Sequence, residues 1–242
     1  MQRIENPELK RKILNHLAQQ YNIKETREPN HLSSYVYCLT KGYMEQATAT
    51  MPTDDEVMMF ALGYGLQDVL TPRDATAPVY ESEGIIYRPD MSFSIGQAEI
   101  ERLTEIKTTR KSAKYHFMDE HIPETWLVYM KGGCFLRGTD KYDLIVLYMM
   151  GDYAPPFPQM YCDTFEFTDD EIMDNWSYLR ERKEIADFSL ANNKIPVPFT
   201  HNYDWECKYC RFYLTCQTIS AVTGNGGVDP ILEDEQENWG ES

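Results

Sequence analysis

RPDMSFSIGQAEIERLTEIKTTR, residues 88 to 110, contains the end of one β-like run (83–95) and the whole of a second (102–109). Asp90 lies in the first, and Glu105 and Lys107 lie in the second. Residues two apart on a strand point to the same face, so Glu105 and Lys107 are presented together. If the runs pair as a hairpin, Asp90 reaches that face as well. Two carboxylates converging on one point suit a hard divalent cation such as Mg²⁺, which prefers oxygen ligands and keeps several waters. A water on such a metal, its pKa lowered, is able to attack a phosphodiester. A lysine beside it offsets the charge that builds on the phosphate. The pattern alone has a plainer reading, a solvated pair on a strand. An acid two residues before a lysine occurs at Glu8/Lys10, Glu105/Lys107, Glu181/Lys183 and Glu206/Lys208, and only Glu105/Lys107 sits in a β-like run with Pro89-Asp90 upstream.

Two neighbours sharpen the functional reading. Gly63-Tyr-Gly-Leu-Gln67 places a polar side chain one helical turn past a glycine, in the helix that precedes the strands. Lys107, Arg110, Lys111 and Lys114 form the densest basic stretch of the middle chain, directly after the carboxylates. In an acidic protein, local positive charge there suits a phosphate backbone passing the site.

The chain has 242 residues, 42% hydrophobic and 13% aromatic, with a net charge of −16. That size and composition support one large domain with a buried core, and argue against disorder. The charge excludes a protein that coats nucleic acid non-specifically, which requires a basic surface. There is no run of about eighteen apolar residues, hence no expected membrane span. The start MQRIENPELKRK lacks the apolar stretch of a signal peptide, so a cytoplasmic location is expected. From Asp229 to Ser242 the chain has six acids and no Lys or Arg, and reads as a flexible acidic tail. The expected organisation is an N-terminal helical extension (1–27), one main domain (28–217) and the tail (218–242).

Helical spacing appears over residues 7–21. Ser33 and Ser34 are placed to cap a single helix through YVYCLTKGYMEQ, and residues 54–70 open a helix with three acids. A helix is expected over 119–130 with Pro123 in its first turn. The run 140–152 is apolar enough for a central strand, and MYCDTFEF alternates as another. Thr168-Asp-Asp-Glu171 is a capping box that opens a long helix. Helices packed on a mixed sheet, an α/β fold, follow from this order.

WECKYCRFYLTC (205–216) places Cys207, Cys210 and Cys216 within ten residues. In a reducing compartment such clusters are more often metal ligands than disulfides, and a fourth ligand is needed.

The order of these motifs resembles the PD-(D/E)XK nuclease superfamily in its RecB-type branch: a Gly-x-x-x-His helix, an Asp strand, a Glu-x-Lys strand and a helix with a late Tyr. The matching residues are Gly63 to Gln67, Pro89-Asp90, Glu105-Ile106-Lys107 and Tyr129 in TWLVYM. The C-terminal segment is similar to that of members carrying an iron–sulfur cluster, in which one cysteine precedes the nuclease core and three follow it. Cys38 stands in the first position. By size and layout the chain is similar to the CRISPR-associated RecB-type exonucleases and their phage and viral homologues.

The resemblance implies a restriction-endonuclease-like core with its terminal helical parts clipped by Cys38, Cys207, Cys210 and Cys216 around a 4Fe–4S cluster. Four thiolates also suit structural zinc, so spacing alone does not choose between them. It implies a DNA exonuclease dependent on Mg²⁺ or Mn²⁺, acting on single-stranded ends. CRISPR spacer acquisition beside integrase proteins, or phage recombination with its own partners, is the implied setting. Asp90, Glu105, the Ile106 carbonyl and Gln67 would hold the metal, and Lys107 would position or activate water. Arg110, Lys111, Lys114 and Tyr129 would meet DNA, with a core role for Tyr129 as the alternative. Two positions depart from the family: Gln67 replaces its metal-binding His, and Thr125 replaces its Gln one turn before the Tyr. A different class of reading, an iron–sulfur module that binds DNA or protein without cutting, draws on Gln67 and the acidic charge. Cys134 and Cys162 fall outside the pattern and are expected to be buried and apolar.

Overall fold

The computed structural model describes residues 7–24, 30–48, 52–95, 100–110, 112–113, 122–149, 158–198, 206–207 and 210–223. The acidic tail, Lys111 and Lys114 lie outside the described residues. The elements in chain order are α1 (Pro7–Lys24), α2 (Ser33–Val36), α3 (Leu39–Ala47), α4 (Asp54–Leu70), β1 (Tyr80–Ser82), β2 (Ile85–Tyr87), β3 (Met91–Ile95), β4 (Ile100–Thr109), α5 (Glu124–Arg137), β5 (Lys141–Tyr148), β6 (Gln159–Glu166), α6 (Asp169–Asn192) and α7 (Tyr213–Thr223).

The stretch that opened the sequence reading forms the hairpin it suggests. β3 and β4 pair antiparallel, with Met91 opposite Thr104. β4 then pairs parallel with β5, and β5 antiparallel with β6, giving a mixed four-stranded sheet ordered β3-β4-β5-β6. A parallel neighbour requires a crossover, and α5 provides it. The run 83–95 is not one strand. Its first part pairs Ile85–Tyr87 with Tyr80–Ser82 in a separate two-stranded ribbon, and Arg88-Pro89 breaks the chain before β3. Asp90 therefore sits just ahead of β3 rather than inside it.

The single helix expected from Ser33 is two. α2 ends at Val36, Tyr37 is extended at φ −89°, and Cys38 becomes the N-cap of α3. The serines are not the cap either: the N-cap of α2 is Leu32, and Ser33 Oγ meets His31 Nδ1 instead. The break has a long-range cause. Arg182 of α6, 4% exposed, donates from Nε to the Tyr35 carbonyl and from a terminal nitrogen to the Tyr37 carbonyl. Those carbonyls need no downstream helical N–H, so the chain turns at no hydrogen-bonding cost.

Helix α5 begins at Glu124, after Pro123 as N-cap, and runs on to Arg137, seven residues beyond the expected end. Residues 119–121 lie outside the described residues. The Thr168–Glu171 capping box is present as expected, and Thr53 with Glu56 forms a second one on α4. Helix α7 continues to Thr223, past the boundary expected at 217, and α1 packs along α4 with Arg11 paired to Asp54 at 3.0 Å.

The core gathers between α5, α6, α2 and the sheet around Trp176, Leu179, Leu32, Met130 and Leu144. Phe135 stacks on Trp176 at 4.1 Å. Gly132 lets Leu179 and Leu32 pack directly on the backbone of α5, because a Cβ there would stand 2.9 Å from a Leu179 methyl and 3.0 Å from one of Leu32. Cys134 is buried in this core as expected. Cys162 is not: it is exposed on the edge strand β6, whose burial alternates, and it falls on the outward phase.

Candidate active site

β4 turns Leu103, Glu105 and Lys107 to one face, and the parallel register sets Tyr142, Leu144 and Val146 beside them. Glu105 and Lys107 meet as a pair, Nζ to Oε1, at 2.5 Å. Glu105 is 5% exposed, unusual for a carboxylate, and its second oxygen accepts from Tyr142 Oη at 3.4 Å. Tyr142 in turn is hydrogen-bonded to Tyr87, both fully buried. Gly133 of α5 makes room for this tyrosine pair, since a Cβ there would lie 2.8 Å from both rings.

Asp90 reaches the same place from just ahead of β3. Its Oδ2 accepts the backbone N–H of Ile106 at 2.7 Å, and its Oδ1 accepts Gln67 Nε2 at 2.9 Å. Gln67 arrives from α4, one turn past Gly63, as the helical spacing indicates. In a strand a residue's N–H and C=O point to the same edge, so the Ile106 carbonyl faces the side on which Asp90 lies. These groups line one open cleft of about 180 Å³, walled on its other side by Met59, Phe60, Gly63 and Tyr64 of α4.

Burial raises the pKa of Asp90 against the pull of Lys107, the Ile106 N–H and Gln67. Glu105 is raised to about 7, by burial first and then by the Asp90 charge, with Lys107 working the other way. For Lys107, burial disfavours the ammonium, but the charges facing it, Glu105 foremost, outweigh that and its pKa is raised. The facing charges thus favour the ammonium form of Lys107, whereas burial and Asp90 favour the protonated form of Glu105.

Tyr129 is 9% exposed and lies beneath the site. Its ring faces the Lys107 ammonium at 5.6 Å and meets Tyr87 edge-on at 5.6 Å, while its hydroxyl donates to the Arg88 carbonyl at 3.4 Å. Its position is that of a support for Lys107, not of an open surface. Thr125 is fully buried. Arg110 is exposed at the end of β4, directly past the site. The sequence reading did not find Tyr87 and Tyr142. Both are apolar-looking members of short apolar strands: the register of β5 on β4 brings Tyr142 under Glu105, and Tyr87 reaches Tyr142 from the separate ribbon by a side-chain hydrogen bond.

Cys38, Cys207, Cys210 and Cys216 are free thiols that sense one another. Burial raises Cys216 to about 11, and the neighbouring Cys38, Cys210 and Cys207 add to it. Cys207 is likewise raised to about 11 by burial and then by Cys38 and Cys210. Among the described residues, no group of three or more His, Cys, Asp or Glu side chains is arranged to hold a metal ion. The cleft carries two carboxylates, so the remaining ligands of a cation there would be the Gln67 amide oxygen, the Ile106 carbonyl and water. That is an all-oxygen set, which fits Mg²⁺ or Mn²⁺ in kind.

No protein-family model and no curated protein matches the chain. Among solved structures it matches SSO0001 with a TM-score of 0.52 at 19% identity, over 87% of this chain and 97% of that one. The two share a fold. Weaker likenesses, with TM-scores of 0.43 and 0.42, both at 14% identity, are to an alkaline exonuclease from Laribacter hongkongensis and a phage-related exonuclease from Haemophilus somnus 129PT. They cover 67% of this chain in both cases, and 90% and 83% of the respective partners.

Among the described residues, no helix is long and apolar enough to cross a membrane.

Proposed function

We propose that the chain is a metal-dependent DNA exonuclease acting on single-stranded ends. The observation that carries this reading is the meeting of Asp90, Glu105, Lys107 and Gln67 in one open cleft, with the two carboxylates near enough that the Asp90 charge acts on Glu105. A bound Mg²⁺ or Mn²⁺ would supply a Lewis acid and a water of lowered pKa. Asp90 and Glu105 would hold that ion, with the Ile106 carbonyl and Gln67 as further oxygen donors. The Gln67 amide nitrogen faces Asp90, and a half-turn of that amide would offer its oxygen instead.

The carboxylates that face Lys107 favour its ammonium form, in which it would donate to the attacking water or a phosphate oxygen. Tyr142 and Tyr129 fix the two partners, Tyr142 through the Glu105 carboxylate and Tyr129 through the Lys107 ammonium. Arg110 would guide the strand as it leaves the site.

The cysteine quartet is read as a 4Fe–4S ligand set that joins α3 to the C-terminal segment, with zinc as the alternative metal. End processing of this kind fits either CRISPR spacer acquisition or phage recombination.

A second reading, binding without cutting, draws on the fact that both Asp90 oxygens are satisfied by protein donors and Glu105 is tied to Lys107. Labelled single- and double-stranded DNA, and RNA of the same sequence, incubated with Mg²⁺, Mn²⁺ or EDTA separates the readings. Metal-dependent shortening of DNA from its ends supports the exonuclease. Binding with intact DNA under every condition contradicts it.

A further inference from the structure

Helix α4 is apolar well beyond what its packing uses. Among its described residues only Val57 is fully buried, while Met58, Met59, Leu62 and Val69 are exposed. Its cleft-facing stripe is Phe60, Gly63, Tyr64 and Gln67, spaced at one face of a helix. Phe60 and Tyr64 stack on each other with ring centroids 6.4 Å apart and an interplanar angle of 29°. Between them and Gln67, Gly63 contributes no side chain, and nothing lies within 4 Å of where its Cβ would be. The cleft thus has an aromatic wall with an open slot on one side and Asp90, Glu105 and Lys107 on the other.

A phosphate at the carboxylates carries a sugar and base that must go somewhere, and an aromatic wall offers a base a face to stack on. In a duplex the bases are held in pairs, with at most the outer face of the terminal pair uncovered, and cannot turn singly onto such a wall. An unpaired strand has them free. Phosphate contacts at Lys107 and Arg110 do not distinguish paired from unpaired strands, whereas stacking on an aromatic wall does. We propose that Phe60 and Tyr64 form a base-stacking subsite that receives an unpaired nucleobase beside the phosphate at Asp90 and Glu105. The subsite is therefore what selects single-stranded ends. This rests on the nuclease reading and assigns its strand preference to two residues.

The test uses a single-stranded oligonucleotide with 2-aminopurine at its end, whose fluorescence is quenched when the base stacks, bound to the full chain with Ca²⁺ in place of Mg²⁺. The parent is expected to quench the probe, and Phe60→Leu/Tyr64→Leu to lose the quench and bind roughly tenfold more weakly, the size of one base–aromatic stack. Tyr64→Trp, which keeps a ring, is expected to retain both. A blunt duplex probe should show no difference among the three. Parent and leucine variant binding within twofold of each other, with equal quenching, would overturn the subsite. Cleavage with Mg²⁺ in parallel separates the two claims. A parent that quenches but never cuts overturns the nuclease reading and keeps the subsite. One that cuts without quenching overturns the subsite alone.

Discussion

Glu105 sets the charge balance of the cleft. Its pKa is raised from 4.5 to about 7 by burial and then by Asp90. The folded state therefore holds a proton that the unfolded state gives up between those values. The native protein binds more protons across that window, so this group's contribution to stability is complete below pH 4.5 and is lost as pH rises through about 7. Metal-free protein should therefore become easier to unfold by denaturant from pH 5 to pH 7.5. The slope should flatten in Glu105→Gln and in saturating Mg²⁺, which replaces the proton. A slope unchanged by both would show that Glu105 is not the group responsible. The same linkage predicts that Mg²⁺ affinity, read by calorimetry, rises between pH 6 and pH 8, because the ligand must lose its proton. Gln67→His should keep or increase Mn²⁺-dependent cleavage, since imidazole suits that ion better than an amide. A loss with the fold intact would give Gln67 another task. At this scale Asp90, Glu105, Lys107 and Gln67 were legible, because alternation along β4 and one helical turn of α4 are local rules. Tyr87 and Tyr142 were not legible, since what makes them site residues is a side-chain hydrogen bond across 55 positions between two separate sheets, and an aromatic in an apolar strand looks like core.

Capping and crowding decide the elements. The Thr168 side chain accepts from the Glu171 N–H at 3.3 Å, and Glu171 answers to the Thr168 N–H at 2.9 Å. Thr168→Ala should cost about 1 kcal/mol in a chemical melt, the usual worth of such a cap. An unchanged midpoint would show that α6 is held by its packing alone. Gly133→Ala pushes a methyl into the Tyr87–Tyr142 pair at 2.8 Å, and overpacking of that kind should cost about 1–3 kcal/mol while also weakening cleavage through Glu105. Both helices with capping boxes could be read from short sequence signals, as could β4, β5 and β6 from their apolar patterns. The break at Tyr37-Cys38 could not. It depends on Arg182, about 145 residues downstream, reaching two carbonyls that local propensity assigns to a continuous helix. Pro123 shifted the start of α5 for a local reason, by serving as its cap rather than sitting in its first turn.

The whole molecule joins a sheet-borne cleft to a cysteine quartet drawn from both ends of the domain. Arg211, one residue past Cys210, pairs with Glu45 of α3 at 2.8 Å and approaches Glu56 of α4 at 3.6 Å, so the C-terminal segment also bears on the helix that carries Gln67. If the proposed quartet holds one metal, Cys38→Ala lowers metal content and melting temperature about as much as Cys207→Ala, Cys210→Ala or Cys216→Ala, since losing any one ligand would open the same site. Cys162→Ala should change neither. Retention of full iron or zinc by Cys38→Ala would remove it from the quartet. The central claim is the chemistry of the cleft, and it is tested most directly by following a 5′- and 3′-labelled single-stranded DNA with purified parent, Glu105→Ala and Lys107→Ala in Mg²⁺ or Mn²⁺ and in EDTA. Progressive shortening by the parent only with metal, and none by either folded variant, is the predicted result. Equal cleavage by either variant, or intact DNA with the parent in both metals, would contradict it.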